Sequence, residues 1–102
     1  LGVGHKRAHM QFDWNPAKAA SNLRKHGVSF EEATTVFGDP LALSFEDPDH
    51  SCDELRSLTF GTSAQGRALV LSHTETGDTI RLISARRMTA REQVDYERFQ
   101  RR

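Results

Sequence analysis

The sequence predicts an α+β domain: an antiparallel meander of about four strands plus a short N-terminal strand, flanked by two N-terminal helices and one C-terminal helix. Three observations predict it. Apolar residues recur at helical spacing up to Phe37 and at a period of two after Pro40. The strands after that switch are joined by short loops, which forces antiparallel neighbours because a parallel return needs a long crossover. A capping box behind the last strand then opens a closing helix.

Each element has a local cause. Gln11–Trp14 alternates polar and aromatic residues and reads as a strand. Asn15-Pro16 supplies an N-cap and a proline at the first helical position, so a helix runs from there to about Lys25. Its apolar stripe is Ala17, Ala20 and Leu23, and Gly27 suits the C-terminal cap. Ser29 starts a second helix, with Glu32 at the capping-box position and Phe30, Ala33 and Phe37 on one side; Gly38-Asp39-Pro40 ends it.

Leu41, Leu43 and Phe45 alternate with Ala42, Ser44 and Glu46 in a first meander strand, and Asp47-Pro48-Asp49 turns the chain. A second strand covers about Leu55–Thr62, and Ser63–Gly66 makes a hairpin loop. Ala68–His73 is almost continuously apolar, as expected of a central strand. Thr76-Gly77-Asp78 turns into the fourth strand, Thr79–Arg87, and Thr89 caps a helix to about Phe99 with Glu92 completing its box. One sheet face is expected to pack on helices and the other to stay wet and carry the site.

At 102 residues and 36% hydrophobic composition the chain makes one small domain, expected over residues 10–102, with a thin core. Leu1–His9 is basic, Gly- and His-containing and aperiodic, and reads as a leader or a remnant of cloning, with Met10 as the natural start. No stretch approaches the roughly 20 apolar residues of a membrane span, and the lone Cys52 forms no internal disulfide, so a cytoplasmic home is expected. The zero net charge conceals an asymmetry: +2 over residues 10–30, −8 over 31–55 and +4 over 56–102. A binder of nucleic acid by bulk attraction would be basic throughout, so any RNA contact here must be local. The acidic middle is a solvated loop or a dock for a basic partner.

Three of the basic residues fall where a strand ends and a helix begins, in Arg81-Leu-Ile-Ser-Ala-Arg86-Arg87. Strict alternation puts Ile80, Leu82, Ser84 and Arg86 on one strand face and Arg81, Ile83, Ala85 and Arg87 on the other. Guanidinium groups on a rigid strand end suit binding and polarising a phosphate diester. Arg86 and Arg87 are kept apart, so one is free for phosphate while its neighbour pairs with Glu92 or Asp95.

Beyond these elements the chain resembles the BrnT family of type II toxin–antitoxin ribonuclease toxins. The matching residues are Phe12-Asp-Trp-Asn-Pro-Ala-Lys18, Asn22-Leu-Arg-Lys25-His26-Gly27-Val-Ser-Phe-Glu-Glu-Ala33, Val36-Phe-Gly-Asp39-Pro40, Glu54-Leu-Arg56 and the Arg81–Arg87 run, in that order from about Met10 to Tyr96. The resemblance implies a RelE-like fold and a cofactor-free, metal-independent endoribonuclease that inhibits translation and growth under stress. It also implies a BrnA-like antitoxin that binds DNA, so that DNA is met only through the antitoxin, in a heterotetramer of the two proteins.

Metal-free cleavage needs a base for the 2′-OH proton, a cation for the phosphorane and an acid for the leaving 5′-oxygen. Arg86, Arg81 and Arg87 are the phosphate candidates, with Arg86 first because it closes the strand; Arg56, Arg81 and Arg87 are the RNA-binding candidates. Lys25, His26, His73 and Tyr96 are the acid–base candidates. Lys25 and His26 end a helix, where the dipole favours positive charge, although His26 could equally cap the helix. His73 reads as an interior histidine and Tyr96 as a core-edge tyrosine. His50, Cys52 and Asp53 lack a fourth ligand, so no metal is expected. Trp14 and Phe12 are expected in the core at the sheet edge, or else stacked on a base. The rival reading is a non-catalytic protein-binding module of the same fold, or an inactive orphan toxin.

Overall fold

A computed structural model describes residues 10–47 and 55–100. The expectations for Leu1–His9 and for Pro48, Asp49, His50, Cys52, Asp53 and Glu54 lie outside the described residues. The elements are β1 (Gln11–Asp13), α1 (Pro16–His26), α2 (Phe30–Thr34) continuing as a 3-10 turn (Thr35–Gly38), β2 (Leu43–Glu46), β3 (Arg56–Thr62), β4 (Ala68–Thr76), β5 (Thr79–Arg87) and α3 (Ala90–Gln100). The five strands form one sheet in the order β1-β5-β4-β3-β2. The meander is antiparallel throughout. β1 pairs with β5 in parallel, which the long intervening chain permits. Apolar β4 is central, as its composition predicts.

The helix ends follow their local chemistry. Asn15 accepts hydrogen bonds from the N–H groups of Ala17 and Lys18 at 2.8 and 3.3 Å, and Gly27 closes α1 in the left-handed region at φ 68°. Ser29 Oγ caps α2 by accepting from Glu32 N at 3.0 Å. The Glu32 carboxylate does not return to complete a capping box. It accepts instead from Ser63 Oγ at 2.7 Å and Arg67 Nε at 2.9 Å, while Arg67 also donates to Gly27 O. One buried carboxylate thereby ties the β3–β4 hairpin loop to the start of α2. The hydrogen bond from Arg67 holds it below the usual carboxylate range, and Ser63 and the charge of Arg87 act in the same direction against desolvation.

Both sheet faces are covered, so the expected wet face is corrected. On one face Phe30, Ala33 and Val36 pack against Leu69, Leu71, Ile80, Leu82 and Ala85. On the other Tyr96 and Met88 pack against Val70, Leu58 and Phe60. Each fully buried leucine or isoleucine in this thin core contributes about 1.5–3 kcal/mol relative to exposure. The expected stripe of α1 is also corrected. Leu23 is 52% exposed and Ala17 and Ala20 face solvent, whereas polar Asn22 is the buried residue of that helix.

Strict alternation also fails in β5. Ser84 pairs with Ser72 and Leu82 with His73, so Ile83 is an extra residue opposite a register shift. Such a bulge resets the parity of a strand. Leu82 and Ala85 therefore enter the same core cluster, and Arg87, opposite Leu69, shares that face. Arg86, opposite Val70, lies on the α3 side.

Candidate active site

The outer edge of β5 is where the fold leaves room for chemistry. β1 covers it only from Thr79 to Arg81. Past that point α1 takes the place of a strand, and Asn22 makes the substitution possible. Its Oδ1 accepts from Ala85 N at 3.0 Å and its Nδ2 donates to Ala85 O at 2.8 Å, imitating the paired hydrogen bonds of a neighbouring strand. Nδ2 also donates to Val28 O at 3.0 Å, which fixes the chain just beyond the helix.

With Asn22 pinned, residues three and four positions away on α1 fall on the same side of the helix. Lys18, Lys25 and His26 accordingly line, together with the adjacent Ser21, a pocket of about 160 Å³ closed by Ile83 and Ser84 of the bulge. No carboxylate lines it. Lys25 and His26 are exposed, in the last turn of the helix where the macrodipole favours cations. The pocket thus combines two ammonium groups, an imidazole and two serine hydroxyls beside a fixed backbone. That set suits holding a phosphate oxygen and moving a proton next to it.

The other sequence candidates are placed elsewhere. Arg86 donates two hydrogen bonds to Glu92, at 2.7 and 2.9 Å, and a third to Arg87 O at 3.2 Å. Glu92 simultaneously completes the capping box: it accepts from Thr89 N at 2.8 Å, and Thr89 Oγ1 accepts from Glu92 N at 3.1 Å. The expected pairing of one of the two arginines with Glu92 is what the structure shows, and the paired one is Arg86. Arg81 is held by Asp13 of β1, both about half exposed. Arg87 is exposed. Arg56 begins β3 opposite Thr74, so β4 separates it from β5.

Tyr96 and His73 line no part of the basic pocket. Tyr96 is buried under α3, where its hydroxyl donates to Asp39 at 3.3 Å, and burial together with that carboxylate pushes its pKa up. His73 is fully buried, with Nε2 at 2.7 Å from Thr59 Oγ1, and desolvation lowers its pKa to about 4. It is an interior neutral histidine stacked edge-on against Phe37. Trp14 packs edge-on against Phe30, and Phe12 against Phe37. Among the described residues no group of three His, Cys, Asp or Glu side chains is arranged to hold a metal ion, and no helix is long and apolar enough to cross a membrane.

The Arg86–Glu92 pair has a pH signature. Hydrogen bonds from Arg86, helped by those from the cap, lower the Glu92 pKa from 4.5 to about 2. A carboxyl depressed on folding stabilises the protein above its unfolded pKa, and that contribution is lost as pH falls through the folded value. Glu92→Gln is therefore expected to flatten the loss of stability between pH 4.5 and about 2. Arg86 is 40% exposed, so the difference is about 1–2 kcal/mol after solvent screening. Urea midpoints of both proteins across that window measure it.

Fold and pocket define a class: a small α+β protein that carries a local cluster of cations and an imidazole on a nearly neutral body. The sequence model of the ribonuclease toxin BrnT of type II toxin–antitoxin systems matches residues 14–92, and the chain belongs to that family of ribonuclease toxins. Among solved structures it is similar to the Brucella abortus ribonuclease toxin BrnT, determined at 1.1 Å, with 19% sequence identity and a TM-score of 0.62 over 78% of this chain and 97% of that one. A comparison with the curated proteins finds no match.

Sequence reading had marked Lys25 and His26 as site candidates but missed Lys18, Ser21, Asn22 and Ser84. The spacing of 18, 22, 25 and 26 was visible as one helical stripe. The reading instead followed the apolar stripe of Ala17, Ala20 and Leu23.

Proposed function

We propose that the chain is an endoribonuclease that cleaves single-stranded RNA through the 2′-OH without a metal, at the pocket between α1 and the bulge of β5. The observation that carries this reading is the convergence of Lys18, Lys25 and His26 on a fixed strand edge with no acidic neighbour in the lining. The 2′-oxygen attacks phosphorus, the bond to the 5′-oxygen of the next nucleotide breaks, and a 2′,3′-cyclic phosphate forms. His26 takes the 2′-OH proton or returns one to the leaving oxygen, and the ammonium groups offset charge on the non-bridging oxygens. Arg81 and Arg87, exposed along the same strand, bind the flanking RNA backbone. Arg86 is a positioning residue, since its guanidinium is engaged by Glu92. A BrnA-like, DNA-binding antitoxin neutralises the enzyme in a heterotetramer, and the site of action is the cytoplasm, where translated RNA is found.

The pairing of Arg86 and Arg81 with carboxylates favours one rival, a partner-binding module without turnover. Mass spectrometry of products from an RNA oligonucleotide, with and without EDTA, separates the readings. Cyclic phosphate ends formed equally well in EDTA are expected. Loss of cleavage in EDTA, or products with 5′-phosphate and free 3′-hydroxyl ends, defeats the proposed chemistry, and no cleavage at all selects the rival.

A further inference from the structure

A second concavity, on the opposite sheet face, has a different character. Leu43, Phe45, Phe60 and Phe99 form an apolar groove of about 180 Å³ between β2 and α3, walled by Glu92 and Asp95. Large apolar side chains stay open to solvent here. Phe45 is 43% and Phe99 52% exposed although their rings meet at 5.9 Å, and Leu41 beside them is 59% exposed. β2 is an edge strand of the sheet. An exposed edge beside aromatic anchors is the geometry that receives an extended or helical peptide from a partner.

The charge around the groove selects the partner. Glu92 and Asp95 in its wall, paired on their outer sides with Arg86 and Arg91, are joined by Glu46, exposed at the end of β2. A second copy would bring acid to acid. We infer that the groove is the docking site of the antitoxin, which enters it with a segment carrying at least two large apolar side chains and a basic residue directed at Asp95 and Glu92. This rests on the reading of the chain as a toxin with a proteinaceous antitoxin. Because Glu92 also holds Arg86, the bound segment sits at the tip of β5, whose edge forms the basic pocket.

The inference separates binding from chemistry by residue. Purified full-length toxin and the antitoxin encoded beside it would be compared by titration for wild type, Phe99→Asp, Asp95→Lys and Lys25→Ala. Phe99→Asp is expected to weaken the complex about 30-fold or more. Asp95→Lys is expected to weaken it most at low salt, and Lys25→Ala to leave it within a few-fold of wild type. RNA cleavage by the Phe99→Asp and Asp95→Lys proteins alone should match wild type, which also reports that both remain folded. Wild-type affinity in both groove variants overturns the inference, as does a wild-type toxin that forms no complex, or one that dimerises through Phe99 instead. Failure of wild-type toxin to cleave RNA counts against the functional reading and leaves the binding result to decide the groove.

Discussion

Asn22→Ala is expected to destabilise the protein by about 3 kcal/mol and to open the gap between α1 and β5. The magnitude follows from what the amide leaves behind. Ala85 N–H, Ala85 C=O and Val28 C=O each lose a partner at a buried position, and an orphaned buried group costs about 1–3 kcal/mol. Water entering the vacated volume recovers part of that sum. Asn22→Asp is a sharper version: it keeps an acceptor for Ala85 N–H but turns oxygen toward two carbonyls that need a donor, and it buries a charge. Urea midpoints for the two variants, with the denaturant slope checked for constancy, give the measurement. A loss below about 1 kcal/mol in both would mean that the strand edge does not depend on this side chain.

Asn22 also marks the boundary of what could be read from the chain. Its helix was legible because Asn15, Pro16 and Gly27 act on backbone groups within a few residues of themselves. The shift to period two and the short connections fixed the meander for the same reason. Its inward face was not legible. The buried amide makes sense only once β1 is seen to stop at Asp13 and leave the far half of β5 without a strand. The bulge at Ile83 is likewise a property of two strands in register, so alternation within β5 alone assigned Ala85 to the wrong side. Tyr96 depends on Asp39, distant in sequence, and Glu32 on a hairpin loop not yet formed when α2 is considered alone. Arg86–Glu92 was the exception, because a capping box already places that carboxylate near the end of the preceding strand.

His26→Ala is expected to lower the rate of RNA cleavage by about 10²–10⁴-fold, the usual contribution of a positioned acid or base, with no change in urea midpoint. Its side chain is exposed at a helix end, so folding owes it little. Lys25→Ala should cost about 10²–10³-fold, as removal of one charge-stabilising donor does, and Lys25→Arg should recover part of the loss because the charge is kept. If the two residues act on one transition state, the double variant falls well short of the product of the single effects. Single-turnover cleavage of a labelled single-stranded RNA resolves these rates. Arg86→Ala provides the contrast: freeing Glu92 unsettles both the α3 cap and the strand tip, so its loss of activity should accompany a lower urea midpoint. A His26→Ala protein that cleaves within a few-fold of wild type, beside an Arg86→Ala protein that is fully stable yet inactive, would move the chemistry to the α3 side of the sheet. The guanidinium would then have to leave Glu92 to meet the phosphate.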